Sequence, residues 1–188
     1  MNPSVDEEGD IQTSTNTGEV EKVISDLLRG TFVTAHQYAA GFRVELSREG
    51  RPPHPFIPMV VWLTLRSSWR VGSENEWQSM LSSAPWPTLD GEVNDPMRAY
   101  ALAWLAGAEI TDMSLTEGGE LHLVTARGKD LVLSGTDEVF EESWIVDSPQ
   151  DVPNSEYWSV VCDNAGLVCA RFPRRARRAP TRASFRST

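Results

Sequence analysis

Residues 97–146 read MRAYALAWLAGAEITDMSLTEGGELHLVTARGKDLVLSGTDEVFEESWIV. Met97, Tyr100, Ala101, Trp104 and Leu105 recur at helical spacing, so the stretch opens with a short amphipathic helix. Asp95 suits its N-cap, Pro96 its first turn and Gly107 its stop. Beyond Gly107 the apolar period falls to two. AEITDMSL and ELHLVTA flank Glu117-Gly118-Gly119, and LVLSG follows a charged turn at Arg127-Gly128-Lys129-Asp130. These read as consecutive antiparallel hairpins. A polar bridge, DEVFEE, leads into a short strand, SWIV.

The first half of the chain carries a degraded copy of this pattern. Sliding residues 20–46 onto 97–123, an offset of 77, superposes the helix stripes without a gap: Val20 on Met97, Val23 on Tyr100, Ile24 on Ala101, Leu27 on Trp104, Leu28 on Leu105. Gly30 falls on Gly107, Val33 on Ile110, Thr34 on Thr111, Gly41 on Gly118, Val44 on Leu121 and Leu46 on Leu123. Further on, Ser68-Trp69-Arg70-Val71 matches Ser143-Trp144-Ile145-Val146 at an offset of 75. Each unit is too small to bury a sheet face alone, so the two are expected to share one core.

The remaining elements follow from local signals. TFVTAHQY and FRVELS flank a turn at Ala39-Ala40-Gly41, and four prolines in EGRPPHPFIP force a loop over 49–58. MVVWLTLR and WRVG read as strands. SENEWQSML reads as a helical turn, with Ser73 as N-cap and Glu76 completing a capping box. EYWSVVC and LVCARF form a last hairpin. The expected organisation is a disordered acidic segment at 1–18, a first helix-plus-sheet unit at 19–82, a linker at 83–96, a second unit at 97–172 and a disordered Arg-rich tail at 173–188. The fold class expected is α+β, mostly β: two related helix-plus-antiparallel-meander units packed as a sandwich- or barrel-like body.

Composition narrows the function classes. The chain has 188 residues and a net charge of −10, but seven of its 17 basic residues are arginines from Arg171 onward. The rest of the chain sets ten basic residues against all 27 acids. Such a body repels nucleic acid and anionic lipid and suits a basic protein partner. Nucleic acid is expected to engage only through the Arg-rich tail. No apolar run is long enough to span a membrane, and MNPSVDEEGD lacks the pattern of a secretory signal, so the expected location is the cytoplasm. The two cysteines, Cys162 and Cys169, read as small buried hydrophobes rather than a disulfide.

The second unit also resembles a known family. A glycine before an I-T strand, a Gly-Gly turn, paired L-x-L strands across a charged turn, the aromatic-acidic step Phe140-Glu141-Glu142-Ser143-Trp144 and a closing glycine hairpin are shared features. They resemble a family of small actinobacterial proteins grouped as a domain of unknown function. The resemblance covers residues 105–172 well and 28–72 weakly, and implies an apparent tandem pair of copies. It implies no activity. The acidic head, the proline loop and the Arg-rich tail depart from the family pattern.

Motifs for chemistry are absent. His36, His54 and His122 have no His or Cys at metal-ligand spacing. Neither cysteine neighbours a histidine, and there is no G-x-S-x-G or phosphate-binding glycine loop. No cofactor or metal is expected. Glu138, Glu141 and Glu142 cluster beside Trp144 as a candidate acidic face, against the plainer reading of a solvated linker. Trp77 and Trp86 are candidate partner anchors, against the plainer reading of caps on an open sheet end. Trp69, Trp104 and Trp144 read as core. The functional expectation is a non-enzymatic protein-binding module of the bacterial cytoplasm, of an immunity or antitoxin kind, engaging a basic partner through its acidic face. The alternative is a small-ligand binder or enzyme with a pocket between the two units, using the three histidines and the acids at 138–142.

Overall fold

The structure, a computed structural model, describes residues 11–38, 41–50, 52, 54–83, 95–149 and 156–178. The first half runs β1 (Ile11–Ser14), α1 (Thr17–Leu28), β2 (Thr31–Tyr38), β3 (Phe42–Arg48), β4 (Val60–Leu65), β5 (Trp69–Val71) and α2 (Glu74–Ser82). The second runs α3 (Asp95–Trp104), β6 (Ile110–Leu115), β7 (Leu121–Thr125), β8 (Leu131–Leu133), β9 (Glu142–Asp147), β10 (Ser159–Asp163) and β11 (Val168–Pro173), then a 3₁₀ turn at Arg174–Arg178. The fold is α+β and mostly β. Its two antiparallel sheets, ordered β1-β11-β10-β9-β4-β3-β2 and β5-β8-β7-β6, do not close into a barrel.

The sheets do not separate the two halves of the chain. Each begins as a meander from one half and takes its fourth strand from the other. β9 pairs with β4, setting Trp144 opposite Leu65 and Val146 opposite Leu63. β5 pairs with β8, setting Trp69 opposite Leu133 and Val71 opposite Leu131. The two S-W-x-V segments thus occupy equivalent places with equivalent partners. The helix stops are also reciprocal: Gly30 N donates to Ile110 O at 2.8 Å, and Gly107 N to Val33 O at 2.7 Å. Both glycines adopt φ 74°, a left-handed conformation that favours glycine. Phe32 bridges Glu109, its own counterpart at an offset of 77, so the two halves meet at a pseudo-twofold axis.

The register corrects the sequence alignment in one place. β2 and β6 each bulge at a threonine, Thr34 and Thr111, whose Oγ1 donates across the hairpin to Glu45 O and Val124 O. Val44 faces Leu63 as Leu123 faces Leu131, and Phe42 faces Leu65 as Leu121 faces Leu133. The second strands of the two meanders, β3 and β7, therefore match at an offset of 79, two residues beyond the gapless alignment. A slip of two keeps every side chain on its own face, so alternation alone cannot detect it.

α1 buries Val20, Val23, Ile24, Leu27 and Leu28 and packs on β6, β10 and β11. Each such side chain stabilises the fold by about 1.5–3 kcal/mol through apolar burial. α3 departs from its expected stripe. Ala101, Leu102 and Leu105 are buried, while Tyr100 and Trp104 are 59% and 56% exposed. The Gly107–Val33 bond fixes this helix end beside β2, and small Ala101 and Ala108 permit the close approach that turns Tyr100 and Trp104 outward.

Residues 11–18 and 173–178 form regular structure that their composition did not suggest. Within 11–18, β1 pairs with β11 from Ile11–Pro173 to Ser14–Ala170, and Asn16 caps α1 by accepting from Glu19 N. A polar segment forms a strand here because the edge of β11 offers unpaired backbone groups. At the other end Pro173 is buried and Ala176 packs against the core. Residues 1–10 and 179–188 lie outside the described residues.

Candidate functional site

Two loops from the second half meet at one end of the large sheet. The loop after β8 and the β10–β11 turn are joined by a bridge between Thr136 and Ala165. Asp137 N donates to Asn164 O at 3.3 Å, and Asn164 N to Glu141 O at 3.0 Å. Each loop also carries its own aspartate brace. Asp137 Oδ1 accepts from Val139 N and Phe140 N at 2.7 and 2.8 Å. Asp163 Oδ1 accepts from Ala165 N and Leu167 N at 2.8 and 2.9 Å. Such Asx contacts fix a turn locally.

Beneath them four glycines pack backbone against backbone. A Cβ at Gly119 would meet Cys162 Sγ at 2.6 Å and Gly166 O at 2.8 Å, and one at Gly166 would meet Gly118 O at 2.5 Å. Trp144 Nε1 donates to Gly119 O at 2.9 Å, and Ser143 Oγ reaches Gly135 O at 3.0 Å and Asp163 O at 3.1 Å. This anchored base presents Val139, Phe140 and Leu167 to solvent, 82%, 40% and 71% exposed. Beside Leu167 opens a cavity of about 440 Å³, lined by Val20, Leu115, Glu117, Val161 and Val168 among others.

Of the expected acidic face, Glu138 and Glu141 are exposed in this loop. Glu142 lies on β9 and is held by Arg66 at 2.8 Å, so its charge is used within the fold. Trp77 is no exposed anchor. It is 5% exposed and packs on Trp69 with ring centroids 5.4 Å apart, the buried residue of its helix. Trp86 lies outside the described residues. Trp69 and Trp144 are core; Trp104, expected there, is exposed.

The histidines do not come together. His36 faces Val44, His54 Nδ1 accepts from Phe56 N at 3.2 Å, and His122 Nε2 lies 2.9 Å from Asp130. Among the described residues, no three His, Cys, Asp or Glu are placed to hold a metal ion. Cys162 and Cys169 are free, and one residue of stagger sets Cys169 opposite Val161 and Cys162 opposite Val168. Burial, with a smaller contribution from Asp163, pushes the Cys162 thiol up to about 12, so it is no nucleophile at neutral pH.

Sequence reasoning placed the acids but missed the apolar tip between them, since Val139-Phe140 reads as part of a polar bridge. The signal was an adjacent Val-Phe pair in an acidic loop with no helical or alternating partner to bury it. Among the described residues no helix is long and apolar enough to cross a membrane. No family model, curated protein or solved structure matches the chain.

Proposed function

We propose that the protein is a non-enzymatic binding module that engages a basic protein through the end formed by the 136–141 loop and the β10–β11 turn. The observation that carries this reading is the trio Val139, Phe140 and Leu167, held exposed on braced loops among Asp137, Glu138 and Glu141. Large apolar groups in such positions are the usual core of an interface, and a charged rim steers the partner. The strongly acidic body favours a cationic partner of the immunity or antitoxin kind, met in the bacterial cytoplasm. We place the chain with the actinobacterial family that its second unit resembles, on the glycine turns at 118–119 and 166 and the step into Trp144.

The test is capture of a partner by the full chain at about 0.1 M and about 0.5 M salt, where screening differs strongly. A stoichiometric basic partner should be retained, weakened by salt and lost when Val139, Phe140 and Leu167 are all changed to Ser. Retention that ignores both salt and the triple change would overturn the proposal, as would the absence of any stoichiometric partner.

A further inference from the structure

The cavity of about 440 Å³ shares Leu167 with the exposed apolar trio. Three segments far apart in the chain wall it: the link from β1 into α1, the β6–β7 hairpin and the β10–β11 hairpin. Val20, Leu115, Val161 and Val168 make its interior apolar. Its charged wall residues are Glu117 and Asp163, and among the described residues no Lys or Arg lines it. Neither acid enters an ion pair among the described residues. Asp163 braces its own turn through Oδ1, whereas Glu117 stands exposed on the β6–β7 turn. The adjoining loop adds Asp137 and Glu141, both tied to Asn164 of the β10–β11 turn by backbone hydrogen bonds.

We infer that this cavity receives a large apolar side chain of the basic partner, flanked in the partner's sequence by an arginine or lysine that meets Glu117. The inference rests on the protein-binding reading and extends it from a surface to the kind of sequence recognised. An apolar side chain enters such walls without burying an unmatched polar group. The volume lies at the small end of ligand clefts and suits an aromatic ring. The neighbouring charge follows from the wall. An acid there would meet Glu117, Asp163 and a chain of net charge −10, whereas a cation is drawn in. Exposed acids contribute little affinity each, so the apolar contact supplies the binding and the charge supplies the preference. Leu167 belongs both to the exposed trio and to the cavity wall, so one partner segment covers the first and enters the second.

The experiment titrates the full chain with blocked dipeptides and follows the methyl resonances of Val161 and Val168. The probes are acetyl-Trp-Arg-amide, acetyl-Trp-Glu-amide, which reverses the charge, and acetyl-Gly-Arg-amide, which lacks the ring. The Trp-Arg peptide should give saturable shifts of both valines, and the other two should bind at least about tenfold more weakly. Thr15→Trp, an exposed position on the cavity wall, should block binding with the melting temperature unchanged. Glu117→Gln, also exposed, should weaken the Trp-Arg peptide about two- to fivefold and keeps the test decisive if Thr15→Trp fails to fold. No saturable shift with the Trp-Arg peptide overturns the inference. So does a Trp-Glu peptide that binds as tightly, or Trp-Arg binding that survives Thr15→Trp. The two readings fail separately. If Thr15→Trp abolishes peptide binding yet leaves salt-sensitive capture of a basic partner intact, the cavity is not where that partner docks and only the inference falls. If the peptides bind as expected and no basic partner is captured, the cavity keeps its assigned chemistry and only the protein-binding reading falls.

Discussion

Gly135 sits where no side chain fits: a Cβ there would lie inside the contact radius of the Gly118 carbonyl and against Gly119 backbone atoms. Backbone cannot yield as a side-chain tip can, so Gly135→Ala should cost about 3 kcal/mol or more, read as a lowered urea midpoint. Gly50→Ala offers a control, since a Cβ there meets nothing and only the positive φ of 78° is strained. Glu76 makes a second prediction. Hydrogen bonds from Lys129 and from Ser73 hold its carboxyl at about 2, below its ordinary value of 4.5. A depressed folded value stabilises the native state above the unfolded value and loses that contribution as pH falls. Wild type should therefore exceed Glu76→Gln in stability at neutral pH, and the gap should close between about pH 4.5 and pH 2 in denaturation curves. The group is exposed, so added salt should narrow the gap throughout. At this scale the sequence showed the Ser73–Glu76 capping box, because three-residue spacing creates it. Lys129 was not legible as the partner, being 53 residues away.

The helix ends reveal matched devices that sequence spacing hid. Arg48 on β3 donates to the carbonyls of Asp26 and Leu27 at the end of α1, and to Arg29 O. Arg127, its counterpart at an offset of 79, donates to Trp104 O at the end of α3. Both satisfy carbonyls that a helix leaves without intrahelical donors. Arg48 is the deeper of the two, and burial lowers its guanidinium below the ordinary value against the raising effect of Asp26. Arg48→Ala should cost about 2–3 kcal/mol, and Arg127→Ala about 1 kcal/mol or less, in urea unfolding. α1 was legible because five apolar residues fall on one stripe and all are buried. α3 was not. Its stripe mixes large aromatics with alanines, and the surface it meets, not its own periodicity, decides which side faces inward. β1 escaped for a related reason: its pairing edge belongs to β11, 155 or more positions away.

Across the whole molecule the exchange of β5 and β9 makes the halves interdependent. Cleaving the chain between residues 83 and 95 should leave neither fragment able to complete its sheet. Each fragment alone should lack a cooperative thermal transition, and an equimolar mixture should recover one, read by circular dichroism. We propose that the pseudo-twofold pairing of Gly30–Ile110 with Gly107–Val33 is the mark of a duplication, since independent loops have no reason to repeat both bonds and angles. The sequence by itself determined the glycine stops, the alternating strands and the recurrence of Ser-Trp-x-Val, because these arise from local backbone geometry and side-chain period. Only the tertiary structure decided which half each fourth strand joins, which face of α3 is buried, and that Val139, Phe140 and Leu167 share one exposed end. Those outcomes depend on competition between distant surfaces for the same partners, and local pattern carries no record of which surface wins.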